Sequence, residues 1–165
     1  MLKTKVLLTG NFGVGKTSLF QRFILSKFDE RYLTTIGVKV DKKQVQLPEG
    51  VVEIFLWDVA GEVSQDKVPI SYFLGAHGII YVFDLTRPLT YQNIESDINY
   101  LKKLAPKASI KVVGNKKDLV TEEQIAQVAG SLDVPYNMVT SAKTGENVEA
   151  LFTNLASEMF RKLKR

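Results

Sequence analysis

Gly10-Asn11-Phe12-Gly13-Val14-Gly15-Lys16-Thr17 sets glycine, lysine and threonine at every fixed position of G-x-x-x-x-G-K-[ST]. Glycines at these spacings let backbone N–H groups turn inward on a polyphosphate, and a helix start just beyond adds partial positive charge. Lys16 supplies a point charge for the outer phosphates and Thr17 a hydroxyl for a divalent cation, Mg²⁺. Asp58, after an apolar run, is the acidic partner that would hold Mg²⁺ with Thr17. Asn115-Lys116-Lys117-Asp118 and Ser141-Ala142-Lys143 follow two further apolar runs. An ionised Asp118 only accepts hydrogen bonds. Guanine offers it two donors, the ring N1–H and the exocyclic amine, whereas adenine has no donor at N1, so Asp118 selects guanine. Asn115 is placed to tie its loop to the phosphate loop, the Lys116 stem to lie against the base, and a backbone N–H near Ala142 to donate to the guanine O6.

These residues must be held by elements that alternate. Residues 3–9 read as a strand and 16–25 as a helix carrying Leu19, Phe20, Phe23 and Ile24. Residues 26–37 form a long polar loop, of a length uncommon without a function. Val38 to Leu47 and Val51 to Trp57 read as strands joined by a hairpin at Pro48-Glu49-Gly50. A short helix towards Leu74, a strand at 79–84, a helix from Leu89 to Leu104 and a strand at 109–114 follow. Thr121 with Gln124 has the form of a capping box. A last strand at 135–140 and a terminal helix from Glu146, with Val148, Leu151, Phe152, Leu155 and Met159 on one face, complete the pattern. The expected fold is an α/β P-loop NTPase, one domain over residues 1–165. Its sheet is six-stranded and mostly parallel, with one antiparallel strand and helices on both faces. Ligands in such sheets bind at the carboxyl ends of strands, where every candidate above falls.

Composition narrows the classes. The 165 residues are 45% hydrophobic and 24% charged, near globular averages. The net charge of +4 lies partly in Arg161-Lys162-Leu163-Lys164-Arg165, a solvated tail rather than a nucleic-acid contact. There is no cysteine, which excludes disulfides, thiolate metal sites and prenyl or palmitoyl anchors for this chain. With no signal peptide or membrane span, a cytoplasmic protein without a stable membrane anchor is expected.

With its motifs in this order and spacing, the sequence resembles the Ras superfamily of small GTPases over essentially its whole length. Tyr32-Leu33-Thr34-Thr35-Ile36-Gly37-Val38, Trp57-Asp58 and Tyr72-Phe73-Leu74-Gly75-Ala76-His77-Gly78 are most similar to its Rab branch. The resemblance implies GTP or GDP as ligand with Mg²⁺ and slow hydrolysis of GTP. Gly13, Val14, Gly15, Lys16, Thr17, Ser18, Phe28, Thr35, Gly61, Asn115, Lys116, Asp118, Ser141, Ala142 and Lys143 would contact nucleotide. Thr17, Thr35 and Asp58 would hold the metal. Lys16, Thr35, Gly61 and Glu62 would form the catalytic set. Residues 26–37 and 61–74 would be switches that bind effector, exchange-factor and activating proteins in the triphosphate state.

Two positions depart from that pattern, both at the expected γ-phosphate. Glu62 stands where most members carry glutamine. Ionised glutamate accepts but cannot donate; with a raised pKa it would serve as a base, so the sign of its effect on rate stays open. Phe12 stands where many members carry glycine, and its ring would fill the space used by an activator's arginine finger. That predicts a weak response to such activators. A GTP-binding module with negligible hydrolysis is therefore the alternative reading. A P-loop kinase is disfavoured by Asp118 and by the lack of an Arg-rich lid. His77, the single histidine, reads as structural, and Val59 as a packing residue.

Overall fold

A computed structural model describes residues 1–29, 37–60 and 68–165. Strand β1, Leu2–Gly10, is central; its Val6, Leu7 and Leu8 have no solvent exposure. A continuous apolar run of this kind suits a parallel strand covered on both faces. Helix α1, Lys16–Leu25, follows the glycine loop. Strands β2, Val38–Leu47, and β3, Gly50–Val59, form the antiparallel hairpin. Strand β4, Gly78–Asp84, is buried throughout. Helix α2 spans Ile94–Leu104, β5 Ser109–Asn115, α3 Glu122–Ser131, β6 Met138–Val139 and α4 Val148–Leu163. The six strands lie in the order β2-β3-β1-β4-β5-β6, and only the β2–β3 pairing is antiparallel.

The connections run to one side of β1 through β2 and β3, then to the other through β4. Strand order therefore reverses between β1 and β4, where a crevice opens at the carboxyl ends of the strands. One core lies between the sheet and α1 with α4. There Phe23 and Phe152 stack with ring centroids 3.7 Å apart and planes 11° from parallel. The other core packs Ile94, Ile98, Leu101, Ile125 and Val128 of α2 and α3 on Leu7, Ile79, Tyr81 and Phe83. A buried hydrogen bond within it, from Tyr81 Oη to Asp97 Oδ2 at 2.6 Å, locks α2 onto β4. Edge strand β2 carries Lys39, Asp41, Lys42 and Lys43, charges that discourage pairing with another sheet.

The mostly parallel six-stranded sheet with helices on both faces agrees with the sequence reading. Both halves of the Thr121–Gln124 capping box form. Val59 is buried, as a packing residue should be. His77 makes a backbone contact: its Nδ1 accepts from the Lys5 N–H at 2.9 Å, just before the start of β4 and at the opposite end of that strand from the crevice. Burial and the nearby Lys5 cation lower its pKa from the ordinary value.

Three elements differ most from expectation. The helix expected from Leu89 begins at Ile94, because Pro88–Thr90 forms a separate 3-10 turn and Tyr91, at φ −130°, leaves the helical region. The strand expected over 135–140 pairs only at Met138 and Val139. Pro135 has no N–H, and the Asn137 side chain takes the Val112 N–H at 2.7 Å, the bond a ladder carbonyl would make. The short helix towards Leu74 is a 3-10 turn, Ile70–Phe73. No described helix is long and apolar enough to cross a membrane.

Candidate functional site

The loop between β1 and α1 is built on glycine where nothing else fits. Gly10 has φ +137°, and a Cβ there would sit 2.1 Å from the Val82 carbonyl oxygen of the neighbouring strand. Gly15 has φ +100°, and its Cβ would meet Asn115 Nδ2 at 2.3 Å. Val14, fully buried, anchors the loop in the α1–α4 core. Ser18 stands in the first turn of α1.

Five consecutive loop carbonyls each accept from a side-chain donor. Lys16 Nζ donates to Gly10 at 2.7 Å and to Asn11 at 3.0 Å. Arg87 Nη1 donates to Phe12 at 3.2 Å, Lys116 Nζ to Gly13 at 3.0 Å, and Asn115 Nδ2 to Val14 at 3.0 Å. The Gly15 carbonyl then accepts the Leu19 N–H at 2.9 Å, the first bond of α1. In a trans peptide the C=O and N–H point in opposite directions. Each held carbonyl therefore turns the N–H of the next residue to the other side of its peptide, and loop N–H groups so fixed at a helix N-terminus suit an anion.

Thr17 and Asp58 meet across the crevice. Thr17 Oγ1 donates to Asp58 Oδ2 at 2.6 Å, and Asp58 has no solvent exposure. β1–β3 pairing sets the meeting, since Leu8 registers with Asp58. A hydroxyl beside a buried carboxylate is a hard oxygen pair. Among the described residues no three His, Cys, Asp or Glu side chains cluster as a metal cage. One carboxylate and one hydroxyl fit Mg²⁺, which is bound through few protein ligands and substrate phosphates.

The base-side loops converge on the same end of the sheet. Asn115, nearly fully buried at the end of β5, also accepts from Thr140 Oγ1 at 3.1 Å and from the Ala142 N–H at 3.2 Å. One amide thus joins the phosphate loop and both base-side loops. Asp118 Oδ1 accepts from Ser141 Oγ at 2.7 Å, and Asp118 itself is exposed. Lys117 pairs with Glu146 across these loops, and the hydrogen bond to Glu146 raises the Lys117 pKa. Lys143 is exposed, and Phe28 is half-buried against the α1–α4 core. Thr35, Gly61 and Glu62 lie outside the described residues, as do most of the two expected switches. Phe12 is at the loop tip with 55% of its surface exposed.

Three side chains that sequence reasoning missed support this geometry. Arg22 of α1 donates from Nε to the Ala142 carbonyl at 2.8 Å and from Nη2 to the Lys143 carbonyl. Asp84 ends β4, is fully buried, and pairs with Lys116 Nζ at 2.8 Å. It also accepts the Thr86 N–H at 2.8 Å and the Thr86 hydroxyl at 2.6 Å. Its place at the end of a buried strand, shared with Asp58 and Asn115, was a usable signal. The third is Arg87.

A sequence model of the Ras family matches residues 5–161. The chain is also 36% identical over 165 residues to the Ras-related protein Rab-1A of Dictyostelium discoideum. That match covers 96% of this chain and 81% of that protein.

Proposed function

The chain belongs to the Ras family, Rab-like in sequence, and from that membership we propose a Mg²⁺-dependent GTP/GDP switch that hydrolyses GTP slowly. The observation that carries this reading is the joining of the phosphate loop to the base-side loops through Asn115. A rigid connection of this kind presents phosphate donors and the Asp118 carboxylate as one preorganised surface, which suits a ligand with a guanine at one end and phosphates at the other.

In this reading Gly13, Val14, Gly15, Lys16, Thr17 and Ser18 cradle the phosphates. Asn115, Lys116, Asp118, Ser141, Ala142, Lys143 and Phe28 surround the base. The Asp118–Ser141 bond holds one carboxylate oxygen in place while leaving the other free in direction for the base donors. The buried Lys16 ammonium, which donates to the Gly10 and Asn11 carbonyls, would also donate to phosphoryl oxygens when nucleotide is bound. Thr17, Thr35 and Asp58 would hold Mg²⁺, which when bound neutralises charge on the phosphate oxygens. Hydrolysis would transfer the γ-phosphoryl group to water, breaking its bond to the β-phosphate oxygen and releasing GDP and phosphate. Little covalent chemistry falls to the protein, so positioning and electrostatics carry the rate. Thr35 and Gly61 would order the switches in the triphosphate state, and Glu62 would orient water. Effectors, exchange factors and activators would read residues 26–37 and 61–74.

A single-turnover time course of GTP-loaded protein tests the reading. Conversion to GDP over minutes to hours supports the hydrolysing switch. GTP retained intact for many hours supports instead a binding module with negligible turnover, the reading favoured by Glu62 and by the exposed Phe12 ring at the loop tip.

A further inference from the structure

We propose that Arg87 is a positioning residue for phosphoryl chemistry, acting through the Phe12–Gly13 peptide. The proposal rests on the GTPase reading above. Of the five loop carbonyls held by side chains, four are held by Lys16, Lys116 and Asn115, residues of the nucleotide motifs themselves. The fifth, at Phe12, is held by Arg87 alone among the described donors, at 3.2 Å. Arg87 belongs to no motif in the sequence.

Its own backbone is fixed by a small bracket after β4. Pro88 disfavours helical geometry at the residue before it, and Arg87 is extended at φ −129°, ψ 97°. The Arg87 N–H donates to the Asp84 carbonyl at 3.0 Å. The buried Thr90 hydroxyl accepts from the Asp84 N–H at 2.9 Å and donates to the Arg87 carbonyl at 2.7 Å. A second tie runs beside the first, from Asn11 Nδ2 to the Leu89 carbonyl at 3.1 Å. The 84–90 bracket thus grips two successive residues of the phosphate loop, Asn11 and Phe12.

The consequence follows from the peptide plane. No cis peptide bonds occur among the described residues, so the Phe12 C=O and Gly13 N–H point opposite ways. A guanidinium on the carbonyl aims the Gly13 N–H inward. It also polarises that peptide, since hydrogen bonds in a chain strengthen one another. Gly13, at φ +77°, would otherwise let this peptide rotate with little resistance. Charge that builds on the transferring group would then meet a donor already aimed at it. Arg87 itself need not touch phosphate.

The test combines an NMR readout with kinetics in wild type, Arg87→Ala and Arg87→Lys. The Gly13 amide proton is followed with GDP and with a non-hydrolysable GTP analogue. Arg87→Ala should move that resonance upfield with the analogue and slow single-turnover GTP hydrolysis by about tenfold, less than removal of a direct oxyanion donor costs. Arg87→Lys should restore most of both, because an ammonium can also donate to the carbonyl. GDP dissociation should stay within about twofold across the three, as one exposed bond is lost far from the base. An unmoved Gly13 resonance in Arg87→Ala would overturn the proposal, as would a lysine variant as slow as alanine. If wild type binds GTP without turning it over, the hydrolysis reading fails, and the amide shift alone decides the role of Arg87.

Discussion

Asn115 Nδ2 donates to the Val14 carbonyl at 3.0 Å, a direct tie between the base-side loop and the phosphate loop although 101 residues separate them. Asn115 Oδ1 accepts from both the Thr140 hydroxyl and the Ala142 N–H. Asn115→Ala would leave all three partners short of a bond in a buried place, each worth about 1–3 kcal/mol. GDP affinity should fall by about 10²-fold or more in a binding titration. Gly15→Ala should weaken binding through the same contact, because its Cβ would displace Asn115 Nδ2. Unchanged affinity in both variants would mean that this joint does not organise the site.

Arg22 offers a separate check on the base side. Its guanidinium holds the Ala142 and Lys143 carbonyls from α1. Arg22→Ala should raise the dissociation rates of GDP and GTP alike by about tenfold, since a charge-assisted bond is worth about 1.5–3 kcal/mol. The hydrolysis rate of bound GTP should be little affected. Stopped-flow release of a fluorescent guanine nucleotide reads the first effect and single-turnover hydrolysis the second.

Phe12 and Glu62 are the two positions proposed to tune the reacting end. Phe12→Gly removes an exposed ring from the loop tip and should increase stimulation by an arginine-finger activator, a contribution of about 10³–10⁵ where it operates fully. Glu62→Gln should change the intrinsic rate. Comparing wild type and both variants in single turnover, with and without activator, identifies the two positions as bystanders if no rate moves.

His77 should make stability depend on pH. Its Nδ1 must be unprotonated to accept the Lys5 N–H, and its folded pKa is below the ordinary 6.5. The unfolded chain therefore binds more protons between the two values, so stability rises with pH and is lost on acidification below about 6.5. Loss of one hydrogen bond worth about 1 kcal/mol corresponds to about 2–4 °C in Tm for a chain of this size. The decline in Tm between pH 7.5 and 5.5 should shrink in His77→Asn. An equal decline in both proteins would place the pH dependence elsewhere.

The sheet and its helices were readable because their signals are local: Val6-Leu7-Leu8 and Ile79 to Phe83 are continuous apolar runs, and the α4 stripe has helical spacing. Thr121 with Gln124 announced its helix for the same reason. The α2 start was obscured because Leu89 continues the apolar spacing, while the turn at Pro88–Thr90 depends on a Thr90 hydroxyl that bonds backbone groups of Asp84 and Arg87. β6 was overdrawn because Asn137 substitutes a side chain for a ladder bond. Motif residues such as Lys16, Asp58, Asn115 and Asp118 were legible from type and spacing. Arg22 and Arg87 were not, since each acts on carbonyls 120 and 75 residues away, and carbonyls leave no mark on a sequence.

Binding of labelled GDP to nucleotide-stripped protein with Mg²⁺, in competition with ADP, bears most directly on the account as a whole. It should be repeated with Asp118→Ala. Wild type should bind GDP with ADP weaker by about 10⁴-fold, as expected where a site's polar groups pair with one base only. In Asp118→Ala the GDP affinity should fall and the preference collapse. Equal affinity for GDP and ADP in wild type, or a preference that survives the loss of Asp118, would contradict the account.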